Sequence, residues 1–223
     1  MNVKELQARL GVVVDGMFGK QSEAALFERL SNPNAPALTN ADFERVAGTL
    51  GVSPKLLMAI RKVEAPRGPF DDQGRPSILY EKHIFSAETE HCFDKAFPDL
   101  SASKWKPGTY GSFGAQYGKL SKACALHPGA AFKACSWGAF QVLGRNAVAL
   151  GYDSAFEMAL ELTVSEAAHL DSFVRFVKAN GLLDELRGCR AGNAASCVPF
   201  VSKYNGPGYA LNAYHTKLAA AAL

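Results

Sequence analysis

Apolar positions along the chain recur mostly at helical spacing. Val3, Leu6, Gln7 and Leu10 share one face of a first helix that Gly11 ends. A glycine-punctuated turn, Val14-Asp15-Gly16-Met17-Phe18-Gly19, leads to a second amphipathic stretch over 22–30 through Ala25, Leu26 and Phe27. The polar, proline-rich run Ser31-Asn32-Pro33-Asn34-Ala35-Pro36 has linker composition. Thr39 or Asn40 then caps a helix over 41–50, and Gly51 closes it. Ser53-Pro54 starts another that ends at Glu64, because Pro66, Gly68 and Pro69 forbid its continuation.

Residues 66–86 break this rhythm. They carry Pro, Gly and Asp, then the apolar run Ile78-Leu79-Tyr80-Glu81-Lys82-His83-Ile84-Phe85, which reads as extended and predicts a small β-hairpin. Residues 101–112 are loop-rich. Helical spacing resumes over 114–127, 130–134, 139–150 and 154–161. A stronger helix over 164–179 places Ala167, Leu170, Phe173, Val174 and Val177 on one face, and Asn180-Gly181 stops it. Shorter helices are expected over 182–187 and 194–204, with an alanine-rich one over 208–222. No βαβ rhythm or glycine-rich phosphate loop occurs. The expected fold is mainly α, with a small β element in the first half. Residues 1–32 form a short helical segment ahead of a larger domain over 38–223.

Composition changes this picture little. The 223 residues are 48% hydrophobic and 20% charged, which is ordinary for a globular chain able to bury one good core. A net charge of +3 suits an anionic partner such as a wall polymer, a membrane surface or a nucleic acid. The absence of an arginine-rich stripe argues against nucleic acid. The first residues lack the apolar core of a secretion signal, and no segment has a membrane-spanning apolar run, so synthesis in the cytoplasm without stable membrane insertion is expected. Five cysteines, with no CxxC and no zinc spacing, read as largely buried free thiols. Cys189 and Cys197 bracket a Gly/Asn/Ala loop and can bridge in an oxidising compartment.

Candidate chemistry begins with two glutamates. A carboxyl at a helix C-terminus faces the negative end of the macrodipole, which holds its proton more tightly, so Glu64 suits an acid that must stay protonated. Glu81, flanked by Tyr80, Lys82 and His83, stands on the neighbouring extended run as a possible partner carboxylate. In Ser136-Trp137-Gly138-Ala139-Phe140-Gln141, the Trp offers a flat face for a sugar ring and Gln141 offers hydrogen bonds to hydroxyl or N-acetyl groups. Tyr204-Asn205-Gly206-Pro207-Gly208-Tyr209 is a turn that can bring Tyr204 or Asn205 to a cleft floor.

These segments, in this order, resemble the N-acetylmuramidase domain of phage endolysins, a lysozyme-like family. The resembling segments are Val63-Glu64, Leu79-Tyr80-Glu81-Lys82-His83, the Ser136–Gln141 stretch, and Tyr204–Tyr209 continuing to Tyr214-His215. At the other end, Leu6-Gln7, the Asp15-Gly16-Met17-Phe18-Gly19 turn and Ser22-Glu23-Ala24-Ala25 resemble a peptidoglycan-binding module that lacks its opening helix.

The resemblance implies hydrolysis of the β-1,4 bond between N-acetylmuramic acid and N-acetylglucosamine in bacterial peptidoglycan, by a monomer with no metal or cofactor. Glu64 would be the acid and Glu81 its partner. His83, Ser136, Trp137, Gln141, Tyr204 and Asn205 would line the sugar subsites, and Asp15, Gly16, Phe18 and Gly19 would contact the wall. It further implies accumulation in the host cytoplasm and access to the wall through a separate pore. The rival readings are a lytic transglycosylase, which needs one carboxyl, and a non-catalytic wall binder. One departure stands out: Ala65-Pro66-Arg67 follows the acid where the family has small residues, and Arg67 near Glu64 would lower its pKa.

Overall fold

The computed structural model describes residues 1–106, 108 and 110–223. The expected loop over 101–112 includes Pro107 and Thr109, which lie outside the described residues.

Helices α1 (Val3–Leu10) and α2 (Lys20–Arg29) open the chain, followed by α3 (Asn40–Leu50) and α4 (Pro54–Glu64). Local chemistry sets their starts. Asn2 with Glu5, and Thr39 with Asp42, form reciprocal capping boxes, and Pro54 occupies the first turn of α4. Strand β1 (Ile78–Tyr80) is short and runs into α5 (Lys82–Glu88). The extended run expected over 78–85 therefore ends at Glu81, whose backbone is still extended while the next residue is helical. The expected hairpin over 66–86 is reduced to a single antiparallel bridge between Phe70 and Pro76.

After α6 (Gln116–Leu126) and α7 (Pro128–Lys133) come β2 (Cys135–Trp137) and β3 (Val142–Leu143). They complete an antiparallel sheet of order β1-β2-β3, with Leu79 opposite Ser136 and Trp137 opposite Val142. The helix expected over 139–150 is instead three single 3-10 turns, Gly138–Phe140, Gly144–Asn146 and Val148–Leu150, with β3 between the first two. Left-handed backbone at Gly138, Gln141 and Gly151 breaks the helical spacing. Gly138 is also held by its neighbour, since a Cβ there would stand 2.7 Å from Nδ1 of His169.

The remaining helices are α8 (Ala155–Leu162), α9 (Glu166–Ala179), α10 (Leu183–Gly188), α11 (Ala194–Tyr204) and α12 (Tyr214–Ala221). The last is shorter than the helix expected over 208–222, because Ala213 takes a left-handed conformation just before it. Helix α9 is central. Its Phe173 stacks on Phe140 at 4.9 Å and meets Tyr204 at 5.6 Å.

The inner face of α9 also carries polar groups that the apolar spacing did not flag. His169 is fully buried, accepts from the Ala139 amide at Nδ1 and lies 2.6 Å from the Leu162 carbonyl at Nε2. That pair of partners requires the neutral ring with its proton on Nε2, and burial accordingly pushes its pKa down to about 4. Glu166 is equally buried. It accepts from Arg61 and from the Leu38 amide, which ties the proline-rich linker to the helical body.

Residues 1–32 share the core. Leu6, Leu26 and Leu30 are fully buried in the same apolar cluster as Trp137 and Phe173. Arg9 pairs with Glu157, the Gly129 amide donates to the Met1 carbonyl, and the Asn32 side chain donates to the Thr163 carbonyl at 2.9 Å. Burying a leucine contributes about 2–5 kcal/mol against truncation to Ala. Deleting residues 1–35 is therefore expected to remove stability comparable to that of a whole domain, which is about 5–15 kcal/mol. A thermal melt checks this: the shortened chain should unfold far below the full one, and an unchanged melting temperature would show a separable segment.

Candidate active site

Strand parity decides which residues reach the cleft. Side chains alternate along β1 and β2, so Ile78 and Tyr80 point to the same side as their partners Trp137 and Cys135, and all four are buried. Leu79, Glu81 and Ser136 take the other side. Ser136 and Glu81 are thus diagonal neighbours, and the Ser136 hydroxyl donates to Oε1 of Glu81 at 3.0 Å. Trp137 was expected to offer a face to sugar. It is fully buried, stacked on Phe132 with rings 7° from parallel, and its Nε1 donates to the Phe132 carbonyl. Its indole is core, not cleft wall. Ser136 is 7% exposed and serves Glu81 rather than solvent.

Glu64 ends α4 and borders a shallow depression lined by Ile60, Val63, Phe200, Val201, Tyr214 and Leu218. Enclosure by these apolar side chains raises its pKa to about 7. The opposing influence is Asn205, whose Nδ2 donates to Oε1 at 2.8 Å. Arg67 does not have the acid-lowering role expected of it, because its guanidinium lies over the Phe113 ring, 5.5 Å from the centroid. The Ala65-Pro66-Arg67 departure therefore leaves the acid's electrostatics to burial and Asn205.

Glu81 is also raised by burial, but two influences hold it down: the Ser136 hydrogen bond and the field of Arg145. Arg145 itself pairs with Glu88 at 2.7 Å. His83 places Nε2 3.7 Å from Oε2 of Glu81, and burial together with Arg145 depresses its pKa, so the ring stays neutral near neutral pH. The two carboxyls thus differ in environment: one is enclosed with a single amide partner, the other is supported by a hydroxyl and a nearby cation.

Tyr214, on α12, links them. It lines the same depression as Glu64, and its hydroxyl is raised by burial and by the charges of Glu64, Tyr110 and Glu81. The Tyr110 hydroxyl is likewise raised by burial and by the charge of Glu81. It accepts from Nε1 of Trp105 at 2.6 Å, and the Trp105 ring in turn lies against Gly208. Sequence reasoning noted Tyr110 only as loop and passed over Trp105. An aromatic pair among lysines and glycines was the available signal.

Tyr204 and Gln141 are more structural than expected. The Tyr204 hydroxyl donates to the Phe140 carbonyl at 2.5 Å, and its ring packs on Phe173, Phe176 and Phe200. The Gln141 amide nitrogen is committed to the Gly138 and Ser77 carbonyls at 2.8 and 3.3 Å. It shapes the bend between β2 and β3, a left-handed conformation that a side chain adopts at a cost of roughly 1–2 kcal/mol.

The N-terminal turn is wired by Gln7, which is buried. Its Nε2 donates to Asp15 Oδ1 at 2.7 Å, and its Oε1 accepts from the Gly16 amide at 2.8 Å. Phe18 is half-buried, Gly19 is exposed, and the exposed apolar side chains there are Val13, Val14 and Met17.

A larger depression of about 210 Å³ lies at Asp71, Asp72, Arg75, Ser77, Phe113 and Tyr117. Asp71 there is tied to Arg75, whose guanidinium covers Tyr117. Among the described residues, no group of three or more His, Cys, Asp or Glu is placed to hold a metal ion. Among the same residues, no helix is long and apolar enough to cross a membrane.

A helical body with a small antiparallel sheet, carrying two carboxyls held in unlike surroundings, fits a lysozyme-like glycoside hydrolase. A sequence model of the N-acetylmuramidase family matches residues 53–222. The chain belongs to that family and is a peptidoglycan hydrolase. A solved structure described as a Burkholderia AP3 phage endolysin is similar over 99% of this chain and 92% of its own, at 31% identity with a TM-score of 0.72. No curated protein matches.

Proposed function

We propose that the protein is an endolysin that cleaves the β-1,4 bond between N-acetylmuramic acid and N-acetylglucosamine, with Glu64 as general acid. The carrying observation is the enclosed carboxyl of Glu64, which keeps its proton up to about pH 7 while Asn205 orients it. Glu64 protonates the glycosidic oxygen. Glu81, positioned by Ser136, activates a water on the opposite sugar face or stabilises the oxocarbenium-like transition state. His83, Asn205, Tyr214, Tyr110 and Trp105 contact the glycan around them. Tyr204 and Gln141 hold the cleft walls.

Residues 1–32 act as a peptidoglycan-binding surface docked on the catalytic body, with the Asp15–Gly19 turn presenting it. The protein works as a monomer. It is made in the host cytoplasm and reaches the wall through a pore formed by another protein, and nucleic acid is no part of its function. Mass spectrometry of digested wall tests the chemistry: hydrolysis leaves reducing N-acetylmuramic acid ends, and 1,6-anhydro ends would replace this reading with the transglycosylase.

A further inference from the structure

We propose that Cys189 and Cys197 form a disulfide once the protein meets an oxidising compartment, clamping the far end of the helix that delivers Asn205 to Glu64. The turn between them already folds back on itself. Arg190 and Asn193 form an antiparallel bridge, Gly192 takes a left-handed conformation with φ 71°, and the Arg190 amide donates to the Ser196 hydroxyl at 2.8 Å. Cys189 follows α10 directly and Cys197 lies in the opening turns of α11. Both side chains are buried and free, and the Ser196 hydroxyl that accepts from the Arg190 amide, next to Cys189, lies 3.9 Å from Sγ of Cys197. Cys124 and Cys135 also sense each other's charge, on α6 and β2, and provide an internal comparison.

The clamp has something to hold. Pro199 sits inside α11 and supplies no amide to the turn before it, so the start of this helix has one hydrogen bond fewer. The other end of α11 carries Tyr204 and is followed by Asn205, the partner of Glu64.

Reactivity fits a switch between compartments. Burial and the neighbouring thiol push Cys189 up to about 12, so little thiolate is present and uncatalysed bridging is slow. The oxidant required is a thiol–disulfide oxidoreductase of the cell envelope in its disulfide form. One thiolate of the pair attacks that disulfide and releases one enzyme thiol. The second attacks the resulting mixed disulfide and releases the other, so two thiols are oxidised and one disulfide is reduced to two thiols. The change of compartment rests on the release reading above, whereas the pairing can be tested without it.

The full chain is incubated with a thiol–disulfide oxidoreductase in its disulfide form, in a glutathione/glutathione disulfide buffer poised as in an oxidising compartment, until the thiol count is constant, then alkylated, weighed intact and digested with trypsin. The expected result is an intact mass lower than that of the fully alkylated reduced chain by the mass of two alkyl groups, with two of five thiols protected and peptide 188–190 joined to 191–203. Melting should rise by about 5–10 °C on oxidation, as closing a short loop implies, and should not change in Cys189→Ser or Cys197→Ser. Five alkylated thiols, or a bridge mapped to Cys124–Cys135, would overturn the proposal. If either serine variant fails to fold, the peptide map of the unaltered chain decides alone.

Discussion

Glu64→Gln is expected to lower wall-clearing activity by roughly a thousandfold or more, the scale of removing a positioned general acid. The substitution keeps the shape of the side chain and an oxygen for Asn205 Nδ2 to donate to, so the loss is chemical rather than structural. Turbidity clearing of wall suspensions measures it, and a variant as fast as the parent would remove Glu64 from the mechanism.

The same variant carries a stability signature. The folded pKa of about 7 exceeds the ordinary 4.5, so the folded state holds a proton that the unfolded chain gives up as pH rises between those values. The benefit of that proton is complete below about 4.5 and lost above 7. At pH 8 the parent encloses a bare carboxylate at a cost of about 2–3 kcal/mol, which Gln avoids. Glu64→Gln should therefore melt several degrees above the parent at pH 8 and alike at pH 4. Equal differences at both pH values would mean that the carboxyl is not enclosed in solution. Activity of the parent should fall on the alkaline side as pH passes about 7, following the same proton.

Glu81→Gln should cost roughly 10²–10³-fold if Glu81 directs water or supports the transition state. Gln still accepts from Ser136 at the Oε1 position, so the local fold persists and the missing element is charge facing the sugar. The measurement is kcat on purified wall material, paired with product analysis. A variant that keeps most of its rate would place Glu81 outside the chemistry and leave Glu64 working alone.

Legibility in the sequence followed the range of the interactions. Helix starts were readable where caps and prolines act within four residues, as at Thr39 and Pro54, whereas the Ser165 cap of α9 fell inside the helix expected over 164–179. The sheet was not, since β2 and β3 hold three and two residues and β2 pairs with β1 across a long separation, Leu79 with Ser136. The same non-local register turned Trp137 inward and Ser136 toward Glu81, a choice that no local pattern encodes. Glu64 was found by its place at the end of α4, yet its pKa comes first from enclosure by α11 and α12, which the helix-end argument did not contain. Trp105 was missed because loop aromatics carry no periodicity.

His169 has a consequence for the molecule's tolerance of acid. The folded ring resists protonation down to about 4 whereas a free one titrates at 6.5, so acidification drives one proton toward the unfolded chain over this range. Across nearly the same range Glu64 draws one proton toward the folded chain. Between about pH 4.5 and 6.5 these two sites bind equal totals in both states, and their slopes cancel. A carboxyl that would tilt stability with pH is counterweighted by a buried histidine, and together these two sites meet mild acidification with little net change in proton demand.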